Sequence, residues 1–134
     1  MNFIPRTHLA FCLTLAVLGG CASMASAPVK VDDGVLVGPN GMTLYTFDKD
    51  VANSGKSVCN GPCATNWPPL MAGEADKSEG AYSVITRDDG AKQWAVQGKP
   101  LYYWVKDSKP GDKTGDGVNK VWQTAKPAPK LGGY

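Results

Sequence analysis

Gly41-Met42-Thr43-Leu44-Tyr45-Thr46-Phe47-Asp48-Lys49-Asp50 returns further along the chain as Gly98-Lys99-Pro100-Leu101-Tyr102-Tyr103-Trp104-Val105-Lys106-Asp107. Gly, Leu, Tyr, an aromatic residue, Lys and Asp coincide in order, at one constant offset. Each copy runs into a glycine-bearing loop and then a tryptophan, Trp67 following Asp50 at nearly the interval by which Trp122 follows Asp107. A period on this scale marks a repeated supersecondary unit, and two copies are too few for an open solenoid. The expectation is one small domain with pseudo-twofold internal symmetry.

The residues around both copies read as strands. Residues 35–37 and 42–47 flank Gly38-Pro39-Asn40-Gly41, whose Pro and Asn-Gly chemistry predicts a β-hairpin. Residues 82–87 and 92–97 flank Asp88-Asp89-Gly90, a second hairpin signal, and the chain then turns at 98–100 into a third strand over 101–105. By repeat logic residues 30–32 are the weaker counterpart of the strand at 82, and residues 119–124 supply a closing strand. Alternation puts Leu44, Thr46 and Asp48 on one face and Tyr45 and Phe47 on the other; Leu101, Tyr103 and Val105 likewise oppose Tyr102 and Trp104. Both faces are apolar in the second copy, so the sheet is expected to be covered on both sides, by another sheet or by the loops carrying Trp67 and Trp122. Residues 72–78 offer at most a turn or two of helix between Gly73 and Gly80. The fold class is all-β: a small single domain of antiparallel hairpins and meanders built from two imperfect repeats.

The N-terminus carries a different message. A short polar start with Arg6 precedes an apolar run at 9–18, and small residues follow at Gly19, Gly20, Ala22 and Ser23. This order predicts a secretory signal, too short for the about 20 apolar residues of a spanning helix. Leu18-Gly19-Gly20-Cys21 resembles the lipobox of bacterial lipoproteins, which implies cleavage after Gly20 and acylation of Cys21; the alternative is an ordinary cut after Ala25 or Ala27. Lipoproteins of that kind carry more than one acyl chain, enough for stable attachment. Alanine at 22, rather than an aspartate resembling an inner-membrane retention signal, favours the outer membrane, facing the periplasm. The division is 1–20 signal peptide, 21–30 flexible tether, 31–124 duplicated β-rich domain with repeats at about 34–70 and 91–124, and 125–134 flexible tail.

Composition narrows the chemistry. Lys and Arg number 14 against 12 Asp and Glu, and Arg6 is the only one of these before Cys21, so the exported part is close to neutral with interspersed charge. No nucleic-acid partner is expected from such a field. The one histidine, His8, lies in the signal segment. Without imidazole the mature chain lacks both the usual zinc ligands and a histidine general base. No metal, cofactor or catalytic residue is assigned.

Cys59 and Cys63, in Cys59-Asn60-Gly61-Pro62-Cys63, are an even pair in an oxidising compartment and read most simply as a disulfide. The alternatives are a redox dithiol or a metal site. Against the first stand the spacing of the pair, wider than the usual two intervening residues, and the Pro68-Pro69 that forbids a long helix behind it. Against the second stands the shortage of partners beyond Met42, Met71 and carboxylates.

Taken together, Leu44-Tyr45-x-Phe47-x-x-Asp50, Cys59-x-x-x-Cys63, Trp67-Pro68-Pro69-Leu70 and Leu101-Tyr102-x-Trp104-x-x-Asp107 resemble a bacterial family of lipoproteins with a Y-x-[FWY]-x-x-D motif, the secreted repeat of unknown function. The resemblance spans nearly all of residues 34–124. It implies an envelope location, lipid anchorage and a duplicated β-rich unit, and it implies no reaction.

Tyr45, Phe47, Asp50, Tyr102, Trp104 and Asp107 therefore admit two readings. As ligand sites, their rings stack on a sugar or another flat group while the carboxylates fix a hydroxyl or a cation. As structure, each aspartate accepts backbone N–H groups from its glycine-rich turn beneath an aromatic strand. Two further possibilities are oxygen ligands for calcium among Asp48, Asp50, Asp107, Asp112 and Asp116, and Asp50 facing Asp107 as a hydrolytic carboxylate pair. The preferred reading is a non-catalytic structural or interaction module whose partners are a membrane, through the N-terminal lipid, and an envelope protein or small ligand.

Overall fold

Hydrogen bonding divides the chain into three small antiparallel sheets. The computed structural model describes residues 27–129, so the signal segment 1–20, Cys21 and the last five residues lie outside the described part. Strands β1 (Lys30–Asp32) and β2 (Val35–Val37) form the first sheet. Strands β4 (Tyr82–Thr86), β5 (Lys92–Val96) and β6 (Lys99–Pro100) form a three-stranded meander. The third sheet joins β3 (Tyr45–Phe47) to β7 (Trp122–Thr124), with Phe47 opposite Trp122. The closing strand is thus present, and Lys30–Asp32 stands to β2 as β4 stands to β5.

Turn chemistry sets these hairpins. Asp33-Gly34 and Gln97-Gly98 both place two consecutive residues at positive φ, between Asp32 and Val35 and between Val96 and Lys99. That is the backbone a two-residue connection needs to match strand twist. At the β4–β5 turn the Ala91 N–H donates to Asp89 Oδ1 at 2.9 Å, and Arg87 pairs with Ala91 across it. Helix α1 (Pro62–Asn66) is five residues long, with proline in its first turn and Pro68-Pro69 just beyond its end. No helix forms over 72–78.

The two copies are tied by equivalent backbone bonds. Leu36 N–H donates to Ala125, Ala125 to Leu44 and Leu44 to Leu36; in the other copy Trp94 donates to Leu70, Leu70 to Leu101 and Leu101 to Trp94. Alternation along the motif strands then sorts side chains into two cores. Leu36, Leu44, Leu70, Trp94, Val96, Leu101 and Ala125 fill one. Tyr45, Cys59, Trp67, Tyr102 and Trp122 fill the other, under the loops that bear the tryptophans. The strand layer is covered on both sides.

Three boundaries differ from the expectation. Residues 101–105 are not a continuous strand: β6 is only two residues long, and Tyr102 then makes single bridges to Tyr45 and Pro69. Proline at 69 has no N–H to extend the ladder. Ala125, assigned to the tail, is 1% exposed and bonded on both backbone sides, so the packed domain extends past Thr124. Ala27, Val29 and Lys30 fall within the expected tether, yet Ala27 and Val29 pack against the first core and Lys30 opens β1.

Candidate functional site

The two motif tyrosines meet at the pseudo-twofold axis. Tyr45 N–H donates to the Tyr102 carbonyl at 2.8 Å and Tyr102 N–H to the Tyr45 carbonyl at 3.0 Å. Both side chains are fully buried, and each reaches the aspartate of the opposite copy. Tyr45 Oη donates to Asp107 Oδ2 at 2.6 Å, and Tyr102 Oη to Asp50 Oδ2 at 2.5 Å. The second oxygen of each carboxylate holds a loop. Asp50 Oδ1 accepts the Val58 N–H at 2.7 Å; Asp107 Oδ1 accepts the Thr114 N–H at 3.0 Å and its hydroxyl at 2.5 Å. Each loop is therefore fastened by its own aspartate, and each aspartate by the other copy's tyrosine.

Burial pushes both phenols well above the ordinary tyrosine range, and the hydrogen bond to a carboxylate pushes in the same direction. Burial also raises the Asp50 carboxyl, against the opposing effects of Tyr102, the Val58 N–H and the charge of Arg87. That cation distinguishes the two halves. Arg87 is buried and forms no ion pair among the described residues. Its guanidinium donates to Ser57 Oγ at 3.0 Å, Gln93 Oε1 at 2.7 Å, the Cys59 carbonyl at 2.5 Å and Asn60 Oδ1 at 3.2 Å. Ser57 Oγ lies 2.6 Å from Tyr102 Oη, so a buried chain runs from Arg87 through Ser57 and Tyr102 to Asp50. A buried charge is tolerated where donors and acceptors are matched in this way. In the second half Gly115 N–H, at 3.2 Å from Tyr45 Oη, stands where Ser57 stands in the first.

The remaining motif rings form a column. Phe47 stacks on Trp122 with centroids 4.2 Å apart, Trp122 on Trp67 at 3.8 Å, and Trp67 on Trp104 at 3.9 Å. Tyr45 meets Trp67 edge-on at 5.4 Å and Tyr102 meets Trp122 edge-on at 5.2 Å. The two edge-to-face contacts suit the ring quadrupole, and the stacked rings bury large aromatic surfaces against one another. The order Phe47, Trp122, Trp67, Trp104 reads the same from either end under the exchange of copies. Cys59 is buried against this column and bridged to half-buried Cys63.

A model of the secreted repeat of unknown function, found in bacterial lipoproteins, matches residues 27–71 and again 83–126, together more than half of the chain. The chain belongs to this secreted-repeat family. No curated protein and no solved structure matches it. The two matched segments of the secreted repeat begin close to strands β1 and β4, earlier than the repeat starts at 34 and 91 taken from the aromatic motifs. Membership in this family goes with a cell-envelope, non-cytoplasmic location.

Neither motif aspartate of the secreted repeat lines either of two clefts on its surface. The first, of about 540 Å³, lies among Asn60, Met71, Arg87, Asp88 and Asp89, with Arg87 already committed to four protein acceptors. The second, of about 420 Å³, is lined by Phe47, Trp67 and Trp122 with Lys49, Asn66 and Asn119. The carboxylates considered for calcium are engaged locally. Asp112 Oδ2 accepts the Ser108 and Lys109 N–H groups, Asp116 Oδ1 that of Thr124, and Asp48 the Gln123 amide. No group of three or more Cys, His, Asp or Glu stands together among the described residues. Asp50 and Asp107 are each buried and fastened to a separate loop, the geometry of a structural acceptor rather than of a hydrolytic pair facing a cleft.

Sequence reasoning does not single out Arg87, Ser57 or Gly115. The first two lie outside the repeated motif, and a lone serine in a polar loop carries no signal. Gly115 is legible only as one glycine among several in the second loop.

Proposed function

We propose that this chain is a lipid-anchored envelope protein, acylated at Cys21 and facing the periplasm from the outer membrane, whose duplicated domain is a non-catalytic structural or interaction module. The observation that carries the reading is the exchange of tyrosine–aspartate pairs between copies. The two tyrosine hydroxyls and two aspartate carboxylates of the repeated motif are spent on one another and on the loops they hold, so the duplication preserves a folding unit. Lipid attachment rests on Leu18-Gly19-Gly20-Cys21 and on the lipoprotein family. Cys21 precedes Ala27 by six residues, a reach of at most ~20 Å even when extended. Such an anchor keeps the packed domain close to the bilayer.

The test is metabolic labelling with a clickable palmitate analogue, followed by membrane fractionation. The wild-type chain should carry label and sediment with outer membranes, and Cys21→Ser should carry none. Label on the serine variant, or a cytoplasmic chain that keeps Met1, would refute the anchor.

A further inference from the structure

The two copies differ at the ends of the aromatic column. One end is the Trp104 ring, over which Lys106 places its ammonium 5.6 Å from the centroid. The equivalent positions in the first copy are Phe47 and Lys49, and both line the cleft of about 420 Å³. That volume falls within the range of small-ligand sites. Its wall is Phe47, which stacks on Trp122 by one face only, with the edges of Trp122 and Trp67, whose own faces are taken up within the column, so the aromatic part of the site is fixed in advance. Two carboxamides, Asn66 and Asn119, stand at the same cleft, each offering a donor pair and an acceptor. Asn119 and Lys120 hold consecutive left-handed backbone conformations, at φ 52° and 60°. Of the two, only Asn119 lines the cleft, and this backbone, which asparagine tolerates, fixes where its carboxamide starts from. Lys49 is the one charged lining residue, and no carboxylate lines the cleft.

We infer that this cleft binds an acidic saccharide, the apolar face of the sugar ring lying on the face of Phe47 turned away from Trp122, its hydroxyls on Asn66 and Asn119, and its carboxylate on Lys49. The inference needs the envelope location only for the source of the ligand, since acidic sugars occur both in peptidoglycan and in surface polysaccharide. It does not depend on acylation of Cys21, so failure of the labelling experiment leaves it standing, and its own failure leaves the anchor standing.

The test is a tryptophan-fluorescence titration of the full chain in detergent micelles with glucuronic acid, galacturonic acid and N-acetylmuramic acid, with glucose and AMP as comparators. A monosaccharide of this size should give a saturable change with Kd on the order of 1 mM. Glucose should bind about fivefold more weakly, because it lacks the ion pair, and Lys49→Gln should bring the acids down to the glucose value. Phe47→Trp, which builds the ring the second copy already carries, should abolish saturation without lowering the unfolding midpoint. A response to N-acetylmuramic acid alone identifies peptidoglycan as the source and a response to the uronic acids identifies polysaccharide; both support the site. Absence of saturation with all three acids, tighter binding of AMP, or acid binding untouched by Lys49→Gln would overturn it.

Discussion

The Tyr45 hydroxyl is bonded to Asp107, in the opposite copy, and not to Asp50 at the end of its own motif. Tyr102 makes the mirror choice with Asp50. The repeated motif is thus a pair of halves that complete one another. A single copy would bury a phenol and a carboxylate without their partners, at about 1–3 kcal/mol for each group left unsatisfied. This explains why two copies occur in one chain with a shared axis at the Tyr45–Tyr102 bridge.

Double-mutant cycles should read the exchange directly. Tyr45→Phe with Asp107→Asn, and Tyr102→Phe with Asp50→Asn, should each show coupling of about 0.5–3 kcal/mol in denaturant melts. The within-motif cycles, Tyr45 with Asp50 and Tyr102 with Asp107, should be additive within about 0.5 kcal/mol. Larger coupling within a motif than between motifs would contradict the pairing.

Alkaline stability follows from the same phenols. Tyr45 and Tyr102 hold their protons above the 10.0 of a free tyrosine, so above that pH the unfolded chain has released protons that the native state still binds. Their stabilising contribution is complete below about pH 10 and declines as pH rises toward the native values, by up to about 1.4 kcal/mol per pH unit for each phenol. Tyr45→Phe and Tyr102→Phe should each flatten the alkaline limb of a stability–pH curve by one proton. Equal slopes in wild type and both variants would show that the phenols ionise freely in the native state.

The period-two pattern is legible in the sequence because it is local. Leu44 and Leu101 fall in one core and Tyr45 and Tyr102 in the other, as alternation demands. Repeat logic also locates β1, whose three exposed residues carry almost no strand signal of their own, through its likeness in position to β4. The partner of each aspartate is not legible. A constant offset between the copies shows that Asp50 and Asp107 are equivalent, and equivalence is satisfied equally by pairing within a copy or between copies. Residues 101–105 mislead for a related reason: their aromatic content suits a strand, whereas Pro69 and Pro100 beside them supply no N–H for a ladder. Ala125 reads as the start of a proline-rich tail, and only its correspondence with Leu70 reveals it as core.

Reduction of the Cys59–Cys63 bridge should weaken the domain modestly. A loop this short restricts the unfolded chain little, which gives about 2 kcal/mol on the chain-entropy account. Cys59 is buried beside Trp122 and Tyr102, so its thiol would remain enclosed after reduction. Cys59→Ser with Cys63→Ser should unfold at lower denaturant with an unchanged m-value, and native non-reduced protein should take up no thiol label at either position. Labelling of both sulfurs in unreduced protein, before and after denaturation, would refute the bridge.

The tightest point of the column is Gly115, and it makes the sharpest test of the packing. A Cβ built there would lie 2.9 Å from two atoms of the Trp67 ring and 2.9 Å from the Tyr45 ring. Neither ring can retreat freely, because Trp67 is held between Trp122 and Trp104 and Tyr45 is tied to Asp107. Gly115 does not hold a positive φ, so Gly115→Ala adds steric crowding without backbone strain. Overpacking of a fixed core costs about 1–3 kcal/mol. Gly73→Ala is the matched control, since its Cβ would meet only Asp76, at an ordinary 3.5 Å, and should change stability by no more than about 0.5 kcal/mol. Gly115→Ala should also perturb the near-ultraviolet circular dichroism of the stacked tryptophans, which Gly73→Ala should leave as in wild type. If the two variants match in both stability and spectrum, the column is looser than its 3.8 and 3.9 Å spacings require.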